Sequence, residues 1–298
     1  MTNPIDGLIG NMTRFIGRTR NFRKLMFLPY EAMAAALLAA GSAPSLASAA
    51  AFDQMVVFGD SLSDTGNAGR FSNGPVWVEQ LASQLGLSVE PSERGGLNFA
   101  VGGARLDPSS GRDNLRAQTD LYLRSPRRAG RTLHIVFGGG NDLLAAVQAP
   151  GAERIVKAAA ASLKSIMADL AKHGATDLFV PNLPDVGMTP AVHRLGQRAV
   201  AAARDLTNLF NNEVDKAVTV LASRHEVRFH RLDIRAMAER ARADPGAFGF
   251  KDVTTPCNVL DSCEGYLFWD DVHPTTRAHA RLADAAIELV SGRAGHQQ

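Results

Sequence analysis

A serine at position 61 and an Asp-x-x-His run ending at position 273 are the residues of this chain best suited to chemistry. Ser61 follows Gly59-Asp60 at the end of the apolar run Met55-Val56-Val57-Phe58. A glycine there permits a tight turn, and a serine leaving a strand presents its hydroxyl and its own N–H to one ligand. That is the geometry of a nucleophile, although a helix cap or turn residue has the same local sequence. In Trp269-Asp270-Asp271-Val272-His273-Pro274 a carboxylate stands three residues before an imidazole, and a proline stiffens the turn that follows. Groups at that spacing share a face in a helical or turn conformation. Asp270 can therefore hold His273 in one tautomer and stabilise its protonated form, and His273 can take the proton of Ser61. Asp271 is the neighbouring carboxylate at a less favourable spacing and reads as a loop or cap residue. His134, His173, His193, His225, His230, His279 and His296 lack a comparable acidic partner in a turn setting and read as structural or surface residues.

Acyl transfer also needs donors for a developing oxyanion, and two glycine clusters offer them. Gly138-Gly139-Gly140-Asn141-Asp142 closes the run His134 to Phe137, and Asn141 adds a side-chain amide donor. Asn98-Phe99-Ala100-Val101-Gly102-Gly103-Ala104 supplies backbone N–H groups at a second strand end. With the Ser61 N–H these could surround one oxyanion, each donor being worth roughly 3 to 4 kcal/mol of barrier. Taken singly, each glycine group is equally a tight turn.

These groups need elements to hold them. Short β-branched or aromatic runs predict strands at 55–58, 98–101, 133–137, 177–180 and 227–232. Helical patterns lie between and after them at 76–85, 152–173, 190–223 (long enough to be broken) and 276–290. The alternation predicts an α/β fold with a mainly parallel sheet covered by helices on both faces, and reactive groups where strands end and helices begin.

Composition narrows the classes further. With 45% hydrophobic and 21% charged residues the chain is an ordinary globular protein, and 32 basic against 30 acidic side chains give a formal net charge of +2. That balance argues against nucleic acid as a partner. Arg14, Arg18, Arg20, Arg23 and Lys24 precede an Ala/Leu-rich stretch and the small residues Ala47-Ser48-Ala49, so residues 1–49 read as a secretory leader cleaved near Ala49. The apolar stretch is too short to span a membrane. Residues 50–298 then form a single catalytic domain, secreted or periplasmic. Export would place the two cysteines, Cys257 and Cys263, in an oxidising compartment, where a bridge between them would contribute on the order of 2 kcal/mol.

FGDSLSDTGN, NFAVGGA, GGGND and DDVHP, in that order, resemble the four blocks of the GDSL or SGNH family of serine esterases and lipases. VWVEQLASQLG, PNLPDVG and YLFWDDVHPT extend the resemblance over nearly all of the chain after the leader, which is most similar to the secreted bacterial esterase, phospholipase and haemolysin-like branch. The resemblance implies an SGNH-hydrolase-like, flavodoxin-like fold and ester hydrolysis without a cofactor or metal. It puts the nucleophile on Ser61, the base on His273 and the orienting carboxylate on Asp270. The oxyanion donors become Ser61, Gly103 or Gly102, and Asn141, while Asp60 supports the loop. The implied partner is a small-molecule or lipid ester, with transient contact with a lipid surface, and an acyltransferase using an acceptor other than water is the alternative. Phe71, Trp77 and Phe99 are either walls of a lipid groove or core residues.

Two readings from other classes are weaker. A metal-dependent phosphoesterase would lack histidine ligands near Asp60, Asp64 and Asn141-Asp142. An inactive lipid- or carbohydrate-binding module would have no need of Ser61, Asp270 and His273 together. The pattern G-x-S-x-G is absent around Ser61, which disfavours the α/β-hydrolase fold.

Overall fold

The computed structural model describes residues 52–292 apart from 110, 112, 127 and 128, so the expected leader at 1–49 lies outside the described residues. Four parallel strands, β1 (Gln54–Gly59), β2 (Thr132–Phe137), β3 (Asp177–Phe179) and β4 (Arg228–His230), form the main sheet in the order β1-β2-β3-β4. Every residue of β2 and all but the first of β1 are buried. Apolar runs without alternation are what strands covered on both faces require. The helices are α1 (Trp77–Leu85), α2 (Leu115–Leu123), α3 (Gly140–Ala146), α4 (Ala152–Lys172), α5 (Pro190–His193), α6 (Gln197–Ala222), α7 (Ile234–Ala243) and α8 (Thr276–Val290). They pack in two groups: α1 lies against α8, whereas α4 lies against α2, α3 and α6. A separate parallel pair, β5 (Asp252–Pro256) and β6 (Tyr266–Phe268), precedes α8.

The strand expected at 98–101 is reduced to a bridge at Asn98, which runs along the edge of β1 opposite β2. Val57 N–H donates to Leu97 O, Phe99 N–H to Val57 O, and Val101 N–H to Gly59 O, at 3.0, 2.8 and 3.2 Å. Side chains take up part of the segment's outward polar groups. Asn98 Oδ1 accepts Ala100 N–H at 2.9 Å, and Asn67 Nδ2 donates to both Asn98 O and Ala100 O at 2.8 Å. Side-chain pairing of this kind leaves an edge with little to offer another strand. Because the chain first leaves β1 on this side and only later returns to form β2 on the other, the carboxyl end of β1 is a topological switch point, where open α/β sheets hold their ligands.

The expected helix 190–223 is divided into α5 and α6 by Gly196, whose φ of 90° lies in the left-handed region that glycine tolerates. Three helices, α2, α3 and α7, and the β5–β6 pair go beyond the sequence expectation. Cys257 and Cys263 are joined, with their Cα atoms 5.1 Å apart, and close the loop between β5 and β6.

Candidate active site

The turn after β1 is held from two directions. Gly59 N–H donates to Gln118 Oε1, and Gln118 Nε2 donates back to Gly59 O, both at 2.9 Å. A side chain at position 59 would strike Phe137 O, so only glycine fits between the two strands. The chain then folds over Asp60, whose carbonyl accepts the N–H groups of Ser63 and Asp64 at 3.0 Å. Asp64, fully buried, gathers the following loop: Oδ1 accepts from Gly66 and Asn67, and Oδ2 from Ala68 and Gly102. Ser61 sits between these anchors, its hydroxyl aimed outward from the sheet end. Sequence reasoning missed Gln118 and Asp64. Gln118 carries no local signal because its partner lies 59 residues away, whereas the Asp-x-Gly spacing of Asp64 was a readable turn signature.

The imidazole arrives from the far end of the chain. His273 Nε2 lies 2.8 Å from Ser61 Oγ, and its Nδ1 lies 2.7 Å from Asp270 Oδ2. Asp270 Oδ1 also accepts the N–H groups of Val272 and His273, at 2.9 and 2.7 Å. Burial pushes the Asp270 carboxyl up, but the His273 ring and the two backbone donors outweigh it and hold the carboxyl below its usual range. An ionised carboxylate at Nδ1 keeps the proton on that nitrogen and leaves Nε2 as the acceptor facing Ser61. The loop is fixed on both flanks. Trp269 N–H donates to His273 O at 2.8 Å, and Trp269 O accepts from Cys257 and Asn258 at the base of the disulfide loop, at 3.1 and 2.8 Å. Asp271 faces away from the imidazole and ties the loop to α5, its side chain pairing with Arg194 and its carbonyl accepting Ala191 N–H.

The two glycines of the second block are not equivalent. Gly102 N–H is spent on Asp64 Oδ2 at 2.8 Å, so the expectation that it donates to an oxyanion is corrected. Gly103, in the left-handed region at φ 77°, makes no backbone N–H bond among the described residues. Asn141, in the first turn of α3, donates one Nδ2 proton to Ala104 O at 3.0 Å, which fixes the amide and leaves its second proton free to donate. Asp142 beside it accepts from Leu106 and Asp107 at 2.9 and 3.1 Å, so the glycine loop and α3 are locked together. Burial lifts Asp60 to about 6, a rise tempered by the Leu62 N–H and by His273 and reinforced by Asp142. Asp60 Oδ1 accepts the Leu62 N–H at 3.1 Å and so braces the turn from inside.

Of the three aromatic residues singled out, Trp77 and Phe99 belong to the core. Trp77 donates its indole N–H to Ser63 Oγ at 3.1 Å, and Phe99 stacks on Phe58 at 5.7 Å. Phe71 instead lies against the imidazole, with ring centroids 5.3 Å apart. None of the three lines the apolar cavity that opens beside Ser61, Asn141 and His273.

A flavodoxin-like sheet carrying a serine, an imidazole and a carboxylate in sequence at its switch point defines a carboxylic ester hydrolase of the serine type. Residues 55–286 match the GDSL-like Lipase/Acylhydrolase family, and the chain belongs to it. It is 27% identical over 312 residues to a phosphatidylcholine-sterol acyltransferase of Aeromonas hydrophila, a match covering 82% of this chain and 91% of that protein. It is 34% identical over 180 residues to Lipase 1 of Photorhabdus luminescens, covering 56% of this chain but 28% of that longer protein. It is 30% identical to esterase EstA of Pseudomonas aeruginosa, over 87% of this chain and 50% of EstA. Among solved structures, a GDSL-like lipase candidate from Parabacteroides merdae shares the fold at 12% identity and a TM-score of 0.50, over 80% of this chain and 95% of that one.

Proposed function

We infer that Ser61 is the nucleophile of ester hydrolysis, with His273 as its base and Asp270 as the group that orients the imidazole. The observation carrying this reading is the unbroken relay Asp270–His273–Ser61 at 2.7 and 2.8 Å. Ser61 Oγ attacks the ester carbonyl carbon while its proton passes to His273 Nε2. The tetrahedral oxyanion is met by the N–H groups of Ser61 and Gly103 and by Asn141 Nδ2. On collapse the carbon–alkoxy bond breaks, and His273 returns its proton to the departing alcohol. Water then gives a proton to His273 and adds to the acyl-enzyme; on collapse the bond from Ser61 Oγ to the acyl carbon breaks, His273 returns the proton to Oγ, and the carboxylic acid leaves.

The substrate is a small-molecule or lipid ester and the acceptor is water. Transfer to an alcohol, the activity named for the Aeromonas relative, would appear as a new ester when an alcohol is supplied. Residues 1–49 act as a leader removed on export, and residues 50–298 act outside the cytoplasm as one catalytic domain in transient contact with lipid surfaces. The Cys257–Cys263 bridge supports an oxidising destination. No helix of the described residues is long and apolar enough to cross a membrane. Ser61→Ala is expected to lower ester turnover by about four orders of magnitude or more while circular dichroism stays unchanged. Turnover retained in that variant would refute the assignment, and the N-terminal sequence of exported protein tests the leader.

A further inference from the structure

The cavity beside Ser61 has a volume of about 180 Å³, and one of its walls is unusually regular. Helix α7 lends it Ile234, Met237, Ala238 and Ala241, residues three, four and seven apart that form a single helix face. Ala278 and Leu282 of α8, four apart, form a second wall. The remaining positions of α7 include Arg235, Glu239, Arg240 and Arg242, and Arg235 pairs with Glu239 at 3.0 Å. The helix therefore gives its small apolar residues to the cavity and keeps its charges elsewhere.

Protein interiors are close-packed, and space left beside apolar side chains is destabilising unless something fills it. Half-buried Ala238 leaves such space within the same cavity that holds the nucleophile, and Ala241 and Ala278, packed beside Phe250, line it with small side chains. The occupant should be apolar and flexible. The acyl part of the substrate stays bonded to Ser61 through both halves of the reaction, whereas the alcohol must depart between them. A walled cavity suits the part that stays. From Ile234 to Ala241 the helix face runs about 10 Å, the extended length of an acyl chain of roughly eight carbons.

We propose that the cleft between α7 and α8 is the acyl-chain subsite of this enzyme, that it selects medium-chain acyl esters over acetyl esters, and that Ala238 and Ala241 set the length it accepts. The proposal rests on the assignment of Ser61 as nucleophile. Each methylene group transferred from water into such a site is worth up to about fourfold in kcat/KM.

The test is a series of nitrophenyl esters from acetate to hexadecanoate, run beside a series of acetate esters of alcohols of increasing length. The native enzyme is expected to favour octanoate over acetate by at least tenfold in kcat/KM. Ala238→Phe and Ala241→Phe should each lower octanoate turnover at least tenfold and acetate turnover less than threefold. Met237→Ala, which enlarges the cleft, should move the optimum to a longer acyl chain, and it carries the test if the phenylalanine variants fail to fold. Equal losses on acetate and octanoate, a flat acyl series, an unmoved optimum in Met237→Ala, or a preference that follows alcohol length would each overturn the proposal. Ser61→Ala run alongside separates the two claims. Loss of all ester turnover there leaves the nucleophile standing even where the chain-length preference fails.

Discussion

Among the described residues two Asp–His contacts lie at opposite ends of the same sheet, and their surroundings differ. At the carboxyl end, Asp270 faces His273 at 2.7 Å; at the amino end, Asp177, the first residue of β3, faces His230 at 3.0 Å. In both, burial alone would raise the carboxyl, and bonding partners bring it below its usual range. The partners differ. Asp177 receives the Arg131 guanidinium in a fork at 2.9 and 3.2 Å, and Arg228 lies 3.9 Å away. His230 is buried edge-on to Phe52, and neither it nor Asp177 lines the cavity. Asp270 has backbone N–H groups in place of a cation, and the second nitrogen of His273 meets a serine hydroxyl beside open space. The proposed catalytic pair is set apart by the serine hydroxyl beyond its imidazole, whereas the other is held by the cations around its carboxylate.

The sharpest way to break the comparison is to neutralise each carboxylate. Asp270→Asn is expected to lower kcat by about three to four orders of magnitude with little loss of stability, because the amide favours the wrong tautomer of His273. Steady-state kinetics beside thermal melting checks this, and near-native kcat would remove Asp270 from the relay. Asn141→Ala should lower kcat roughly a hundredfold with a smaller change in KM, as for loss of one oxyanion donor. An unchanged kcat in the folded variant would contradict its role. Asp177→Ala should leave kcat of the folded enzyme within about twofold yet cost about 2 kcal/mol in urea unfolding, since it takes the carboxylate away from the buried His230 ring.

A last expectation concerns acid sensitivity and leaves kcat aside. His279, wholly buried in α8, is held down to about 3 by burial and then by the charges of His273 and Arg70, and neither ring nitrogen has a hydrogen-bond partner among the described residues. The unfolded chain, with an ordinary histidine value, takes up the proton first. Stability from this residue is thus complete above pH 6.5 and is lost as pH falls toward 3. His279→Leu should flatten the decline of unfolding free energy between about pH 6.5 and 4. An equally steep decline would assign it to other groups, His134 among them, which burial holds at about 4.

The sequence made the parts with strong local periodicity legible. β1 and β2 are mostly apolar, β-branched or aromatic runs, α4 and α8 repeat apolar residues at helical spacing, and Asp270-x-x-His273 is a local pair. Long-range polar partners were not legible. Gln118 on Gly59 and Asp177 on His230 join residues 59 and 53 apart, and nothing near either side chain announces the other. α3 begins inside a triple glycine, whose low helix propensity hides it, and α7 is hidden because four of its ten residues are charged and half of its apolar stripe is alanine. The pair Gly102-Gly103 could be divided only by knowing where Asp64 spends its second oxygen.

Gly102 packs its Cα against the Phe71 ring, which in turn leans on His273; a methyl group there would overlap that ring. Replacing Gly102 with alanine would therefore displace the ring that rests on His273, and turnover is expected to fall although the Gly102 N–H is committed to Asp64. A mutational survey scored by activity alone would file this glycine with the reacting groups. Trimming Phe71 to leucine in the same protein should restore much of what was lost, exposing the injury as mechanical rather than chemical.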